Sequence, residues 1–158
     1  AQRVLSMIAK NCDGQVPEHG AFTPEDQAML GQAHGLLAAV RGHLDVQAFH
    51  LALQAIWDVI GEANRYVDVQ APWTLKKTDP ARMATVLYVL AETIRHLALL
   101  TQPVMPESSA RLLDQIAIPA DQRDFAALGE GFALKPGTPL PKPQGVFPRY
   151  VEEEEGAA

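Results

Sequence analysis

"TDPARMATVLYVLAETIRHLALL", Thr78–Leu100, decides the fold. Asp79 is placed to cap a helix, and Pro80 suits the first helical position, where a missing N–H costs nothing. Met83, Leu87, Leu90, Ile94 and Leu97 then recur in steps of three and four, and Val86, Val89 and Leu100 widen the stripe. A helix apolar over so much of its circumference belongs at the centre of a bundle.

The residues before it read the same way. "TPED", Thr23–Asp26, opens another helix with Thr23 as cap, Pro24 at the first position and Asp26 completing a capping box. Met29, Ala33, Leu36, Leu37, Val40 and Leu44 follow at helical spacing. Asp45 is expected to cap the next helix, with an apolar line of Val46, Phe49, Leu53, Ile56, Ile60, Ala63 and Val67. "AQRVLSMIAK" at the start is already helical in pattern through Val4, Leu5 and Ile8, without a cap, and is expected to be the continuation of a helix cut from a longer protein. The loop after it carries Gly14, Pro17 and Gly20 as breakers. "MPESSARLLDQI" forms a short last helix begun by Pro106. After Ile116 the period fades and Pro residues accumulate. Phe132, Leu134, Leu140, Val146 and Phe147 then suggest an extended segment lying on a surface, with Gln144 to Tyr150 held on the helical body. The expected fold is all-α, an antiparallel bundle of about five helices with an extended Pro-rich arm from about 117, together filling 1–150, and then a disordered acidic tail at 151–158.

Composition narrows the function. With 158 residues and 47% hydrophobic content, the chain can bury one real core. Its net charge is −6, of which the run Glu152–Glu155 supplies four. A general positive field for nucleic acid is therefore excluded, and any such binding must rest on a local patch. No apolar run of the sequence reads as a membrane span and the sequence shows no basic-then-apolar leader, so a cytoplasmic location and no membrane partner are expected. One cysteine, Cys12, excludes an internal disulfide and a Cys-rich zinc site. His19, His34, His43, His50 and His96 lack metal-ligand spacing and read as surface or boundary residues. Nucleophile elbows and phosphate-cradling loops are missing as well. The expectation is a binding domain with no catalytic residues, no metal and no cofactor of its own.

The distinctive stretch is "ANRYVDVQAPWTLKK", Ala63–Lys77. Pro72 should stop the preceding helix near Ala71, leaving Trp73 on a corner with Arg65, Lys76 and Lys77 nearby. A ring in that place is either a plug for the end of the bundle or a platform on which a base stacks while the cations hold phosphates. Trp57, beside Ile56, is assigned to the core, where Trp57→Ala would cost about 3–5 kcal/mol.

The run from Ala63 to Ile116, with its Asn-x-Tyr…Pro-Trp-x-x-x-Lys segment and "QPVMPESS" turn, resembles the C-terminal anticodon-binding helical domain of methionyl-tRNA synthetases. The opening "AQRVLSMIAKNCDGQVP" and closing "LPKPQGVFPRY" are similar to that family's first helix and final arm, so the resemblance spans roughly 1–150. It implies recognition of the methionine anticodon, CAU. Trp73 matches the tryptophan that stacks on the first anticodon base, and Arg3 matches an arginine that reads anticodon bases. Lys76, Lys77 and Arg65 are then candidate contacts to the tRNA backbone. The family's asparagine one turn before that arginine would fall upstream of Ala1. The catalytic signatures of the family (HIGH- and KMSKS-type) are not in this sequence. ATP and methionine are therefore expected to bind a catalytic domain elsewhere in a monomeric parent, an ATP-dependent methionine–tRNA ligase, against which this domain packs. The rival reading is a helical protein-interaction or domain-packing module with Trp73 as an apolar anchor.

Overall fold

A computed structural model describes residues 1–147, apart from the side chain of Glu130. The described residues form six α-helices: α1 Gln2–Asn11, α2 Pro24–Asp45, α3 Phe49–Gln70, α4 Pro72–Thr78, α5 Pro80–Thr101 and α6 Pro106–Gln115. Three short 3-10 turns follow, at Ala120–Gln122, Phe125–Leu128 and Glu130–Phe132. The fold is all-α, and the described residues contain no strand beyond one isolated antiparallel bridge between Gln15 and Pro139. Residues 148–158, which include Tyr150 at the end of the arm and the acidic tail, lie outside the described residues.

Proline and a polar cap start the helices where the sequence places them. Thr23 and Asp26 form the full capping box of α2, each side chain taking the other residue's backbone N–H. The Asp79 carboxylate accepts from the N–H of Arg82 at 2.9 Å and caps α5. α5 is the hub, in contact with each of the other five helices. By length and hydropathy α5 would pass for a membrane span, but 89% of its most apolar window is buried within the bundle. Its apolar character serves the core.

Two expectations fail at the α2–α3 junction. Asp45 caps nothing: it is the last residue of α2, and α3 starts at Phe49 behind Ala48, which makes no side-chain cap bond. Between them the chain reverses through Gln47 in left-handed geometry, φ 59°, with the N–H of Ala48 bonded to the His43 carbonyl. The tight reversal leaves Val46, Phe49 and Leu53 exposed, where the apolar line of α3 was expected to bury them. The buried line of α3 is instead Ala52, Ile56, Val59, Tyr66 and Val67.

Trp57 is the second correction. Its ring is 51% exposed. One residue past Ile56 is about 100° around the helix, enough to carry the side chain off the face that packs on α2 and α5. Trp57→Ala should accordingly lower stability by about 1 kcal/mol or less, a loss within reach of ordinary surface changes, and thermal melting will read it.

After α6 the chain is held by hydrogen bonds more than by regular structure. The N–H of Val16 donates to the Thr138 carbonyl at 2.8 Å, Gly137 N–H to the Val16 carbonyl at 2.9 Å and Leu140 N–H to the Gly14 carbonyl at 2.8 Å. Leu134 is buried, and its carbonyl accepts from the Tyr88 hydroxyl at 3.0 Å. Further on, Gln144 N–H donates to Gln115 Oε1 at 2.8 Å, and Phe147 closes one side of an apolar cavity of about 250 Å³ between α1, α3, α5 and α6. The arm is therefore tied to the body as far as Gln144, while Phe147, at the rim of that cavity, is 67% exposed where it was expected to be covered.

Beneath it sits a charged cluster that the sequence does not announce. Glu92 is 2% exposed and Arg95 1%. Arg95 Nη2 lies 2.5 Å from Glu92 Oε1, its Nη1 donates to the Ala127 carbonyl, and the Leu134 N–H donates to Glu92 Oε2 at 3.0 Å. Burial pushes the Glu92 carboxyl up. The bonds from His96 and Arg95, the Arg95 charge and the Leu134 N–H outweigh it and bring the group down to about 2. His96, expected at the surface, is buried within this cluster. His34, Glu92 and His96 bring three donor groups within 4.8 Å of one another. The Arg95 guanidinium stands beside them, 3.0 Å from His96 Nε2.

Candidate nucleic-acid interface

α3 ends as expected. Ala71 takes left-handed geometry, φ 43° and ψ 59°, and its N–H closes on the Val67 carbonyl. The proline then does more than stop a helix. Pro72 is also the first residue of α4, a seven-residue helix where a bare corner was expected. Pro at that position has its φ already set for helix and has no N–H to leave unsatisfied.

α4 sorts its side chains by period. Pro72 is buried and Leu75 half-buried against the core. Trp73, Lys76 and Lys77, spaced i, i+3 and i+4, share the outward face and are exposed. Trp73 is 43% exposed. Neither lysine has an ion-pair partner among the described residues.

α1 supplies the other half. Val4, Leu5 and Ile8 are buried, which turns Arg3 outward. Its Cζ stands 5.5 Å from the centroid of the Trp73 ring. A guanidinium over an indole face is a cation–π pair worth about 0.5–1 kcal/mol when exposed. The pair sets a planar stacking surface beside a fork of N–H donors, with two lysines along the same face. Arg65 does not join them. It is bonded to Glu62 at 3.0 Å and lines a shallow cleft between α2 and α3 with Glu25 and Gln32.

A polar tie behind the corner was not legible in the sequence. Asp26, on α2, is fully buried. Arg82 Nη1 and Nη2 reach its two carboxylate oxygens at 2.5 and 2.7 Å, and the Tyr66 hydroxyl donates to Oδ1 at 2.5 Å. Arg82 Nη2 also donates to Gln70 Oε1 at 2.7 Å. Burial raises the Asp26 carboxyl, but the Arg82, Tyr66 and Thr23 hydrogen bonds together hold it below the usual range. Burial and then the Asp26 bond push the Tyr66 hydroxyl far up, so it stays a donor. The capping-box pattern locates Asp26. No local signal shows that its carboxylate also receives an arginine 56 residues on.

Comparison with known proteins now has a geometry to meet. A family model described as the anticodon binding domain of methionyl tRNA ligase matches residues 16–157. A methionine–tRNA ligase of Mesorhizobium japonicum is 57% identical over 153 residues, which cover 97% of this chain and 30% of the relative. One from Rhizobium meliloti is also 57% identical, over 98% of this chain and 30% of its own length. Among solved structures, the apo form of Mycobacterium tuberculosis methionyl-tRNA synthetase superposes with a TM-score of 0.91 at 54% identity, covering 96% of this chain and 31% of that one. The chain thus spans about a third of the length of the relatives it matches, and the family model's span contains Trp73 and begins after Arg3. The chain belongs to the anticodon-binding domain family of methionyl-tRNA ligases.

Proposed function

We propose that the domain recognises the CAU anticodon of methionine tRNA so that a methionine–tRNA ligase charges the correct tRNA. The observation that carries this reading is the outward face that joins Trp73 to Lys76 and Lys77, with the Arg3 guanidinium over the ring. Anticodon bases lie in a single-stranded loop, where an unstacked base meets an aromatic face and shows its edge to neighbouring donors. Trp73 takes the first anticodon base, Arg3 reads base edges, and Lys76 and Lys77 hold phosphates. Arg65, paired with Glu62, is at most a peripheral backbone contact. A chain with net charge −6 does not gather RNA indiscriminately, so the small basic face selects by stacking and edge contacts. On this reading ATP and methionine bind the catalytic portion of a monomeric cytoplasmic ligase, and this domain takes no part in the bond-making step.

A hairpin with a CAU loop, titrated beside one altered only at the first anticodon base, tests the reading. The CAU hairpin should bind roughly 5- to 100-fold more tightly at equal salt, the range of discrimination that a good bidentate edge contact gives against a wrong base. Equal binding of the two would sink it.

A further inference from the structure

We propose that Arg82 and Gln70 are positioning residues for Trp73, forming a clamp across α4 that sets the angle at which the ring is presented. The consequence for RNA rests on the anticodon reading above; the clamp itself rests on geometry. α4 has seven residues, too few to hold a helical turn by its own hydrogen bonds in water. It enters from Ala71, a non-glycine residue in left-handed geometry, a conformation that persists only where its surroundings impose it.

Arg82 reaches both ends of this helix. Its backbone N–H bonds to Asp79, the residue between α4 and α5. Its side chain bonds to Gln70, the last residue of α3, directly before the left-handed turn. Asp26 holds the guanidinium from α2 through both its oxygens and is itself held by the Tyr66 hydroxyl of α3, so Arg82 has little freedom. Loss of the Gln70 bond leaves the α3–α4 turn free to swing, and Trp73 lies three residues along. Arg3 approaches the ring from α1, so a swing also opens the stacked pair.

Gln70 is half-buried, so its replacement does not empty the core. The test uses this chain with Trp57→Phe, leaving Trp73 as the sole tryptophan, and compares Gln70→Met with Gln70→Glu. Methionine keeps the length and loses the acceptor; glutamate keeps the acceptor for Arg82. In Gln70→Met the fluorescence anisotropy of Trp73 should fall and the CAU hairpin should bind about 3- to 10-fold more weakly. The melting temperature should move by less than about 3 °C. Gln70→Glu should restore both anisotropy and affinity. Unchanged anisotropy in Gln70→Met, a Gln70→Glu variant as impaired as Gln70→Met, or a large fall in melting temperature would each overturn the clamp. Anisotropy is read without RNA. A wild-type chain that ignores the anticodon sequence would count against the functional reading alone and leave the clamp to be decided by the anisotropy.

Discussion

Arg95→Met should lower the stability of the domain by about 3–5 kcal/mol, the cost of leaving a buried charge without its partner. In a chain of this size that corresponds to a fall in melting temperature of roughly 10–15 °C. Methionine fills much of the arginine's volume, so the loss is mainly electrostatic. Glu92 remains enclosed, with only His96 and the Leu134 N–H left to it, and the Ala127 carbonyl loses its donor. Replacing Glu92 as well, by methionine, should recover part of the loss, because a buried ion pair exchanged whole for apolar groups is often nearly neutral. If the double variant is no more stable than Arg95→Met, the carboxylate is not what makes the single change costly.

Acid should show the same cluster from the other side. The folded pKa of Glu92, about 2, lies below its usual 4.5. The stability it contributes is therefore complete above pH 4.5 and is lost as pH falls from there toward 2, by about 3 kcal/mol in all. Asp26, also held below its usual range, adds a loss of the same sign. Melting in a pH series will show whether Glu92→Gln flattens the profile over this window.

The second large effect is on binding. Trp73→Ala should weaken the CAU hairpin by roughly 1–3 kcal/mol, the worth of a stacked base, with little change in melting temperature because the ring is 43% exposed. The dependence of affinity on salt should stay as it was, since an indole holds no phosphate. Lys77→Ala should do the reverse: it should bind every loop sequence somewhat less tightly and reduce the salt slope by about one unit. A Trp73→Ala variant that binds normally but melts much earlier would make the ring a structural part of the corner.

Much of this could be read from local pattern. Thr23-Pro24 and Asp79-Pro80 mark helix starts because a cap and a proline act within one turn. The display of Trp73 follows from the proline before it. Failures came where the answer depends on what lies across the bundle. Phe49 and Trp57 are apolar residues of a helix, but burial needs a neighbour: the tight turn at Gln47 places none over Phe49, and Trp57 lies off the face that packs on α2 and α5. Glu92 and Arg95 sit within the most apolar helix of the chain. Their burial depends on a carbonyl at Ala127 and an N–H at Leu134, which local periodicity cannot relate to them. The helix α4 was missed because a proline that ends one helix also begins another.

The lacing of the arm to the loop after α1 bears on the order in which the chain assembles. Val16 and Thr138, partners through backbone bonds, are over a hundred residues apart in the chain, and the packing partner of α1 is α5. Contacts of that separation form slowly, because a long loop must close before anything is gained. The hairpin of α2 and α3 needs only its own turn. During synthesis the α2–α3 hairpin therefore has a native neighbour as soon as it emerges, while the earlier α1 waits for α5 and is tied down only after residue 138 leaves the ribosome. Arg3, although made before the helices it joins, is among the last residues of the domain to reach its place.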